Sequence, residues 1–375
     1  MSLNVLIVDD STFIQRVLKE IINDHPQLNV IGIASNGSEA VEKVKSLKPD
    51  LVTMDYEMPM MDGVTAVRII MAENPLPILM LSSMTFSGAR ITIDALEAGA
   101  ADFMTKNFGE ISAKGKMITK RLYDTLLALG DSVLLSQKRS PAPSSPTFAC
   151  KKSVEKSVCN PVLVSSTESG QIKEDSLSTL KKNIYETPSR VRIVVIGAST
   201  GGPAALTQLL KKIPANFPCP ILIVQHMPQN FTLAFAQRLN KQCKIVVKEA
   251  GDGDKLIPGR ALLAPGGQQL VIDKKDVTKI RIIESTSDIN YKPCVDISFA
   301  SVSNTYGKNT LAIVLTGMGS DGCNGARLLK EKKSTVWTQT EDSCVVYGMP
   351  MSVDKAQLSN ASLTLDKMAY HLCKL

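Results

Sequence analysis

The chain has 375 residues, with 43 Lys+Arg against 36 Asp+Glu and a formal net charge of +7. Its length allows two domains, and no run of about eighteen apolar residues is present, so no transmembrane helix is expected. The N-terminus lacks a secretory pattern. The eight cysteines form no C-x-x-C pair, which argues against a disulfide framework or a zinc site and predicts a cytoplasmic protein.

The charge is unevenly distributed along the chain. Residues 1–125 carry a formal charge of −4, from 12 Lys+Arg and 16 Asp+Glu, which leaves +11 on the remaining residues. A basic half suits nucleic acid or an acidic protein surface. Because the sequence has no helix-turn-helix or zinc-finger spacing, we favour the protein surface and expect no nucleic acid partner.

The first 128 residues alternate short apolar runs with helix-length amphipathic segments. The five runs are Val5–Val8, Val30–Ile33, Leu51–Met54, Ile78–Leu81 and Phe103–Thr105. Such alternation predicts a doubly wound parallel α/β sheet covered by helices on both faces. In sheets of this kind, functional residues gather beyond the carboxyl ends of the strands.

Charged and hydroxyl side chains follow these predicted strands. Asp9 and Asp10 follow the first strand, Asp55 the third, Ser82 the fourth and Lys106 the fifth. Three carboxylates at one edge repel one another unless a cation lies among them, and Mg²⁺ is the small hard ion that prefers oxygen ligands. Lysine and serine would then bind the oxygens of a phosphoryl group.

These residues carry a family resemblance. The segments VDDS (8–11), MDYEMPMMDG (54–63) and MLSS (80–83), together with Lys106, resemble the response-regulator receiver domain. The resemblance implies a flavodoxin-like fold in which Asp55 accepts phosphate from a histidine kinase. It also implies that the backbone carbonyl of Glu57 helps to hold Mg²⁺ and that Phe103 is the switch aromatic. Receivers usually have proline after the lysine, where this chain has Asn107, so we expect the loop to differ in shape there.

The segment from about 129 to 189 reads as a flexible linker. Ser, Pro, Lys and Thr dominate it, and its prolines prevent a continuous helix. We expect the preceding helix to end near Gly130, and one short helix at Leu177–Ile184. The length exceeds an ordinary connection within a domain, which predicts two domains that move relative to one another.

A strand, a glycine turn and a helix follow at RIVVIGASTGGP (192–203). This pattern places Ser199 on the turn, with the backbone N–H groups of the next helix nearby. Two interpretations compete: a G-x-S-x-G nucleophile elbow, or a phosphate-binding glycine loop of a dinucleotide site. The strict G-x-G-x-x-G is absent, and on this segment alone both stay open, together with a plain glycine turn.

The rest of the second domain, 190–375, favours the nucleophile. His226 and Asp321 each follow a predicted strand, as Ser199 does, so a parallel sheet would bring the three to one edge. A serine hydroxyl needs a base, and the base needs a carboxylate that fixes its tautomer. His226 is the best placed of three histidines. Asp296 is the rival carboxylate, but it lies at a predicted helix start where a cap is expected.

The chain order Ser–His–Asp differs from that of the α/β-hydrolases. The motifs GASTGGP (197–203), QHMP (225–228), APGG (264–267), LTGMGSDG (315–322) and CVVYGMP (344–350) resemble the catalytic domain of the chemotaxis protein-glutamate methylesterases, the CheB family. The resemblance implies a Rossmann-like domain with a Ser199–His226–Asp321 triad. It also implies that Thr200 and the Met318 N–H lie at the oxyanion site, and that this domain needs no cofactor.

The resemblance implies a phosphorylation-activated enzyme that demethylates glutamyl esters, and deamidates glutamines, on methyl-accepting chemotaxis receptors. We therefore expect a cytoplasmic protein peripheral to receptor arrays, without membrane insertion. Two alternatives come from other classes. A transcription factor would bind duplex DNA in a salt-dependent way. A nicotinamide-dependent oxidoreductase would bind pyrophosphate at the glycine loop.

Overall fold

The computed structural model describes residues 2–82, 85–106, 115–139, 191–286 and 288–375. Asn107, the predicted helix at Leu177–Ile184 and the linker beyond residue 139 lie outside these ranges. Within them, no helix combines the length and the apolar character needed to cross a membrane.

The N-terminal part is a five-stranded parallel sheet in the order β2-β1-β3-β4-β5. Its strands are Leu3–Val8 (β1), Leu28–Ala34 (β2), Leu51–Asp55 (β3), Ile78–Ser82 (β4) and Asp102–Thr105 (β5). Its helices are Thr12–Asp24 (α1), Gly37–Leu47 (α2), Gly63–Glu73 (α3), Phe86–Glu97 (α4) and Gly115–Arg139 (α5). Residues 5–8 and 78–81 are wholly buried, as expected for strands covered on both faces.

Helix α5 differs from the prediction, because it continues past Gly130 to Arg139. A glycine inside a helix costs only about 1 kcal/mol relative to alanine. Gly130 also packs directly against the Leu3 side chain, where any Cβ would clash. The close approach of the helix to β1 therefore uses this glycine inside the helix. The proposed boundary at 128/129 consequently falls within α5.

The C-terminal part is a seven-stranded parallel sheet in the order β14-β13-β12-β6-β7-β9-β8. Its strands are Ile193–Ala198 (β6), Ile221–Gln225 (β7), Val246–Glu249 (β8), Arg260–Leu263 (β9), Thr310–Val314 (β12), Thr335–Gln339 (β13) and Ala361–Leu363 (β14). A separate antiparallel hairpin joins Gln268–Ile272 (β10) to Ile280–Glu284 (β11). The helices are Gly202–Leu210 (α6), Phe231–Gln242 (α7), Val295–Tyr306 (α8), Cys323–Glu331 (α9), Met349–Lys355 (α10) and Leu365–Leu372 (α11).

Two parallel α/β sheets confirm the predicted fold class. In the second sheet β6 lies between β7 and β12, with Ile196 paired to Ile223 on one side and Ile313 on the other. The carboxyl ends of these three adjacent strands therefore open on one edge. We call this the catalytic edge; it comprises the carboxyl ends of β6, β7 and β12 and the loops that follow them.

Candidate active site and phosphoryl site

The acidic residues predicted at the first sheet lie together. One carboxylate oxygen from each of Asp9, Asp10 and Asp55 lies within 4.8 Å of the others. Asp9 and Asp55 are buried, whereas Asp10 is exposed. Three oxygen donors at this spacing, open to solvent on one side, fit a hard divalent cation that keeps some of its waters. Together with Lys106, these three residues form what we call the phosphoryl site.

Lys106 neutralises part of this charge. Its ammonium lies 2.7 Å from Asp9 Oδ2 and 2.8 Å from Asp55 Oδ2. Burial raises the pKa of Asp55, and the Asp9 carboxylate adds to the rise while Lys106 opposes it. Burial alone would lower the pKa of Lys106, but its hydrogen bonds to the two aspartates outweigh burial and raise it. The site thus holds an ion pair that is partly shielded from solvent.

The other predicted receiver residues surround this cluster. Ser82 is buried at the end of β4, where its hydroxyl accepts a 2.7 Å hydrogen bond from Thr92 of α4. Glu57 is exposed, two residues beyond the end of β3 at Asp55. Phe103 is buried on β5 and stacks on Phe231, the first residue of α7, with ring centroids 4.6 Å apart.

At the catalytic edge, the elbow is held by backbone and buried polar groups. The Ser199 N–H donates to Thr316 O over 3.1 Å, and its carbonyl accepts from Gly202 N–H and from the Gln225 side chain. Gly201 has φ +75°, a conformation that favours glycine. Ser199 is half-buried at the tip of this turn, between the ends of β6 and β12.

Two of the three predicted catalytic side chains are in direct contact. His226 Nε2 lies 2.7 Å from Asp321 Oδ2, and both side chains are nearly buried. Burial alone would raise the pKa of Asp321, but His226 and the N–H groups of Val295 and Asp296 outweigh it and hold that pKa below its usual value. The carboxylate is therefore ionised at neutral pH and orients the imidazole.

The remaining ring nitrogen is His226 Nδ1. It is buried and has no hydrogen-bond partner within the described ranges, so it is not bonded to Ser199 in this arrangement. His226 nevertheless follows the strand beside the elbow, and its N–H donates to Ala198 O over 3.1 Å. Because Nε2 faces the carboxylate, Nδ1 is the nitrogen that remains to accept a proton.

The rival carboxylate has a structural role. Asp296 Oδ1 accepts hydrogen bonds from Gly322 N–H at 2.9 Å and Gly325 N–H at 2.7 Å, and so caps the start of α9. An aspartate at a helix N-terminus is favourable. Asp296 therefore contributes its N–H to Asp321 and its side chain to the helix that follows it.

Thr200 and Met318 lie beside the elbow. The Thr200 carbonyl accepts from the Thr316 hydroxyl over 3.0 Å, which ties the elbow to the loop after β12. That loop approaches closely because it contains Gly317, where a Cβ would lie 2.8 Å from the Ser199 Cβ. Met318 follows and is half-buried. Thr316 and Gln225 were not predicted from the sequence. The signal that could have identified them is a single polar residue at the end of a continuous apolar strand or directly after it.

Cys294 was also not predicted from the sequence. Its thiol lies 3.3 Å from Asp321 Oδ1. Burial, reinforced by the adjacent Asp321 charge, raises the pKa of Cys294 to about 12, so the thiol keeps its proton and donates it. Tyr291 was missed as well, although its ring stacks on the His226 imidazole. Both residues lie in an irregular segment without periodicity, where no sequence signal distinguishes them.

The first sheet packs against the catalytic edge. Beside the Phe103–Phe231 stack, the Asp102 carboxyl of β5 is hydrogen-bonded to the Thr200 side chain, and burial raises the pKa of Asp102. On the other side, Val346 lies in one apolar cluster with Leu122 of α5. The residue beside Ser199 is thus in direct contact with the N-terminal sheet.

Polar side chains join α4 to α7 at the same interface. The Arg238 guanidinium binds Glu97 through two nitrogens, with Nε 2.9 Å from Oε1, and lies 3.3 Å from Asp94. Arg90 donates to Gln237 over 3.4 Å. We call the Glu97–Arg238–Asp94 group the interface ion cluster.

Comparison with known families locates both parts. A model of the response regulator receiver domain matches residues 5–115, and a model of the CheB methylesterase matches residues 194–372. A protein-glutamate methylesterase/protein-glutamine glutaminase of Saccharophagus degradans is 49% identical over 98% of both chains. One of the same description from Vibrio cholerae is 46% identical over 98% of this chain and 97% of its own.

Two solved structures are each similar to one part of the chain. The crystal structure of the Thermotoga maritima CheB methylesterase catalytic domain is 38% identical and covers 49% of this chain and 98% of its own, with a TM-score of 0.48. The response regulator domain of Thermotoga maritima CheB is 44% identical and covers 35% of this chain and 98% of its own, with a TM-score of 0.32.

Proposed function

This chain belongs to the CheB methylesterase family with an N-terminal receiver domain, and from that premise we propose that it is a phosphorylation-activated hydrolase of glutamyl methyl esters on chemoreceptor cytoplasmic helices. The observation that carries the proposal is the His226–Asp321 hydrogen bond beside the Ser199 elbow. By the names of its relatives it also deamidates glutamines. Its place is the cytoplasm, peripheral to the receptor arrays and outside the bilayer.

The proposed reaction is acyl transfer through Ser199. Its hydroxyl attacks the ester carbonyl while His226 Nδ1 takes the proton, and Asp321 stabilises the resulting imidazolium. The Met318 N–H, with Thr200 beside it, stabilises the oxyanion. Methanol leaves with the proton from His226, and a glutamyl ester with Ser199 remains. Water activated by the same nitrogen then releases the glutamate carboxylate. From a glutamine, ammonia leaves instead.

Charge supports an acidic protein substrate. The residues after 125 carry a formal charge of +11, and the cytoplasmic helices of receptors are rich in carboxylates. Complementary charge speeds encounter and fixes orientation. Release of methanol from methyl-labelled receptor fragments, measured with and without a phosphodonor, tests the proposal. Salt-dependent binding to duplex DNA, or a thermal shift with NAD, in the absence of methanol release would contradict it.

At the phosphoryl site we propose that Asp55 accepts phosphate from a histidine kinase. Asp9, Asp10, Asp55 and the backbone carbonyl of Glu57 would hold Mg²⁺, which supplies positive charge for the phosphoryl oxygens. Lys106 reaches the Asp55 carboxylate at 2.8 Å and would bind one phosphoryl oxygen. Ser82 would donate its hydroxyl to another.

Asp55→Asn is expected to take up no phosphate from a small phosphodonor such as acetyl phosphate, because the amide is not a nucleophile toward phosphorus. The wild type should take up label only with Mg²⁺, since three carboxylates within 4.8 Å repel an anion. Incorporation of ³²P is the measurement. Asp62→Asn is the matched control, because Asp62 caps α3 through Thr65 N–H and asparagine caps equally well. Equal labelling of Asp55→Asn and wild type would move the acceptor elsewhere.

We further propose that the receiver, residues 1–128, covers the catalytic edge until Asp55 is phosphorylated, and that 129–189 tethers it to the catalytic domain, 190–375. The contacts that support this are Phe103 on Phe231, Asp102 on Thr200 and the interface ion cluster. Two β5 side chains thus contact the catalytic domain, and β5 leads directly to Lys106. A phosphoryl group that draws Lys106 toward itself would shift β5 and weaken the docked arrangement.

Arg238→Glu is expected to raise the methylesterase activity of the unphosphorylated chain about threefold to sixfold. It replaces a bidentate attraction to Glu97 by repulsion, and a partly exposed ion cluster contributes only about 1 kcal/mol. The double variant Glu97→Arg/Arg238→Glu should return activity toward the wild-type value. Arg281→Glu is the matched control, because its partner Asp252 lies in the same half of the chain. Equal rates for Arg238→Glu and Arg281→Glu would show that the cluster does not restrain the enzyme.

A further inference from the structure

We propose that Tyr291 is a positioning residue for the catalytic histidine and that the buried Gln269 holds it in place. The inference rests on the proposed hydrolase mechanism, because it concerns how that mechanism orients its base. Neither residue belongs to the five motifs that resemble the CheB family.

The two rings lie face to face. The centroids of Tyr291 and His226 are 4.2 Å apart and the ring planes are inclined by 6°. The hydrogen bond from Nε2 to Asp321 leaves the imidazole free to turn about that bond. A flat ring against its face removes this freedom, so that Nδ1 keeps one direction. The negative face of the phenol also favours the imidazolium that forms when the serine loses its proton.

Gln269 anchors the segment that carries Tyr291. This glutamine of β10 is 1% exposed. Its Nε2 donates to Tyr291 O over 2.9 Å and to Ser285 Oγ over 3.0 Å, and its Oε1 accepts from Cys294 N–H at 2.7 Å. One side chain therefore fixes both ends of the 291–294 segment. A buried amide with each end hydrogen-bonded holds its partners rigidly.

The same segment also holds the carboxylate. Directly after Tyr291, the chain supplies the Cys294 thiol to Asp321 Oδ1, and the Val295 N–H to Oδ2 at 2.7 Å. Imidazole and carboxylate are thus oriented by neighbouring residues of one loop. Gln269 fixes that loop, so a residue remote from the reacting atoms controls the geometry of both.

Tyr291→Leu and Tyr291→Phe separate stacking from simple space filling. Leucine fills the site without a π-face and is expected to lower kcat about 2- to 12-fold with little change in KM. That range corresponds to the stabilisation that an aromatic pair contributes. Phenylalanine keeps the ring and should retain kcat within about twofold. A rise in KM at constant kcat would make Tyr291 a substrate contact and overturn the proposal.

A measurement without substrate keeps this test distinct from that of the proposed function. The chain has three histidines, so the ring C–H signals of His226 are assignable by proton NMR. We expect an upfield ring-current displacement in the wild type and in Tyr291→Phe that is lost in Tyr291→Leu. Identical His226 signals in the leucine variant and the wild type would overturn the stack, whether or not the receptor ester is hydrolysed.

Tyr370→Leu is the matched control, because Tyr370 is 59% exposed and contacts His371 edge-on. It should move only the His371 signals and leave kcat unchanged. Gln269→Met removes the anchor at similar volume and should displace the His226 signals in the same direction as Tyr291→Leu. Unchanged signals and kcat in that variant would exclude Gln269 from the positioning role. If Gln269→Met does not fold, the comparison of Tyr291→Leu with Tyr291→Phe still tests the proposal.

Discussion

Replacing Ser199 with alanine is expected to lower ester hydrolysis by at least about 10⁴-fold, because no other group at the catalytic edge forms the acyl intermediate in the proposed mechanism. The fold should persist. The Ser199 contacts that hold the elbow are made by its backbone N–H and carbonyl, and the half-buried hydroxyl adds no hydrogen bond to them within the described ranges. Release of labelled methanol from methylated receptor fragments is the measurement.

Ser320→Ala is the matched control for that variant. Ser320 lies in the loop after β12, at the same edge, but its side chain is exposed. Its removal should leave the rate within about twofold, because an exposed hydroxyl outside the acyl-transfer path stabilises no intermediate. Retention of more than about a tenth of the wild-type rate by Ser199→Ala would contradict a serine nucleophile.

The two parallel sheets could be predicted because each buried strand is a continuous apolar run. Residues 193–196 and 311–314 read as such runs and are wholly buried. The extension of α5 through Gly130 could not be predicted, since a glycine followed by aspartate has the pattern of a helix end. Its helical state depends on packing against Leu3, a contact that joins residues far apart in the chain.

The sequence predicts which residues of the candidate site follow a strand, but not how their side chains are oriented. Apolar runs place Ser199, His226 and Asp321 at one edge, yet they do not say which imidazole nitrogen faces the carboxylate. That depends on the 291–296 segment, whose Val295 and Asp296 N–H groups hold Asp321. Residues 291–294 have no periodicity and Val295 only begins α8, so these contacts with Asp321 arise from tertiary packing.

Asp321→Asn is expected to lower ester hydrolysis by about 10⁴-fold, nearly as far as loss of the serine. An amide nitrogen in the place of Oδ2 would donate to His226 Nε2 and force the ring proton onto Nδ1, which then cannot act as base. It would also face the Val295 N–H, a second donor 2.7 Å from that oxygen. In the opposite orientation the nitrogen would face the Asp296 N–H instead. Either orientation leaves a hydrogen-bond donor without an acceptor, and the neutral amide supplies no negative charge to stabilise the imidazolium.

Asp296→Asn distinguishes this explanation from a general loss of negative charge. The two aspartates are neighbours, and Asp296 Oδ1 accepts from Gly322 and Gly325, bonds that an asparagine oxygen also makes. We expect this variant to keep the rate within a factor of about three, since its charge does not touch the imidazole. The pH profile and kcat should therefore change in Asp321→Asn and stay close to the wild type in Asp296→Asn. If the two variants lost activity equally, the carboxylate that orients His226 would not be specifically Asp321, and the tautomer argument would be wrong.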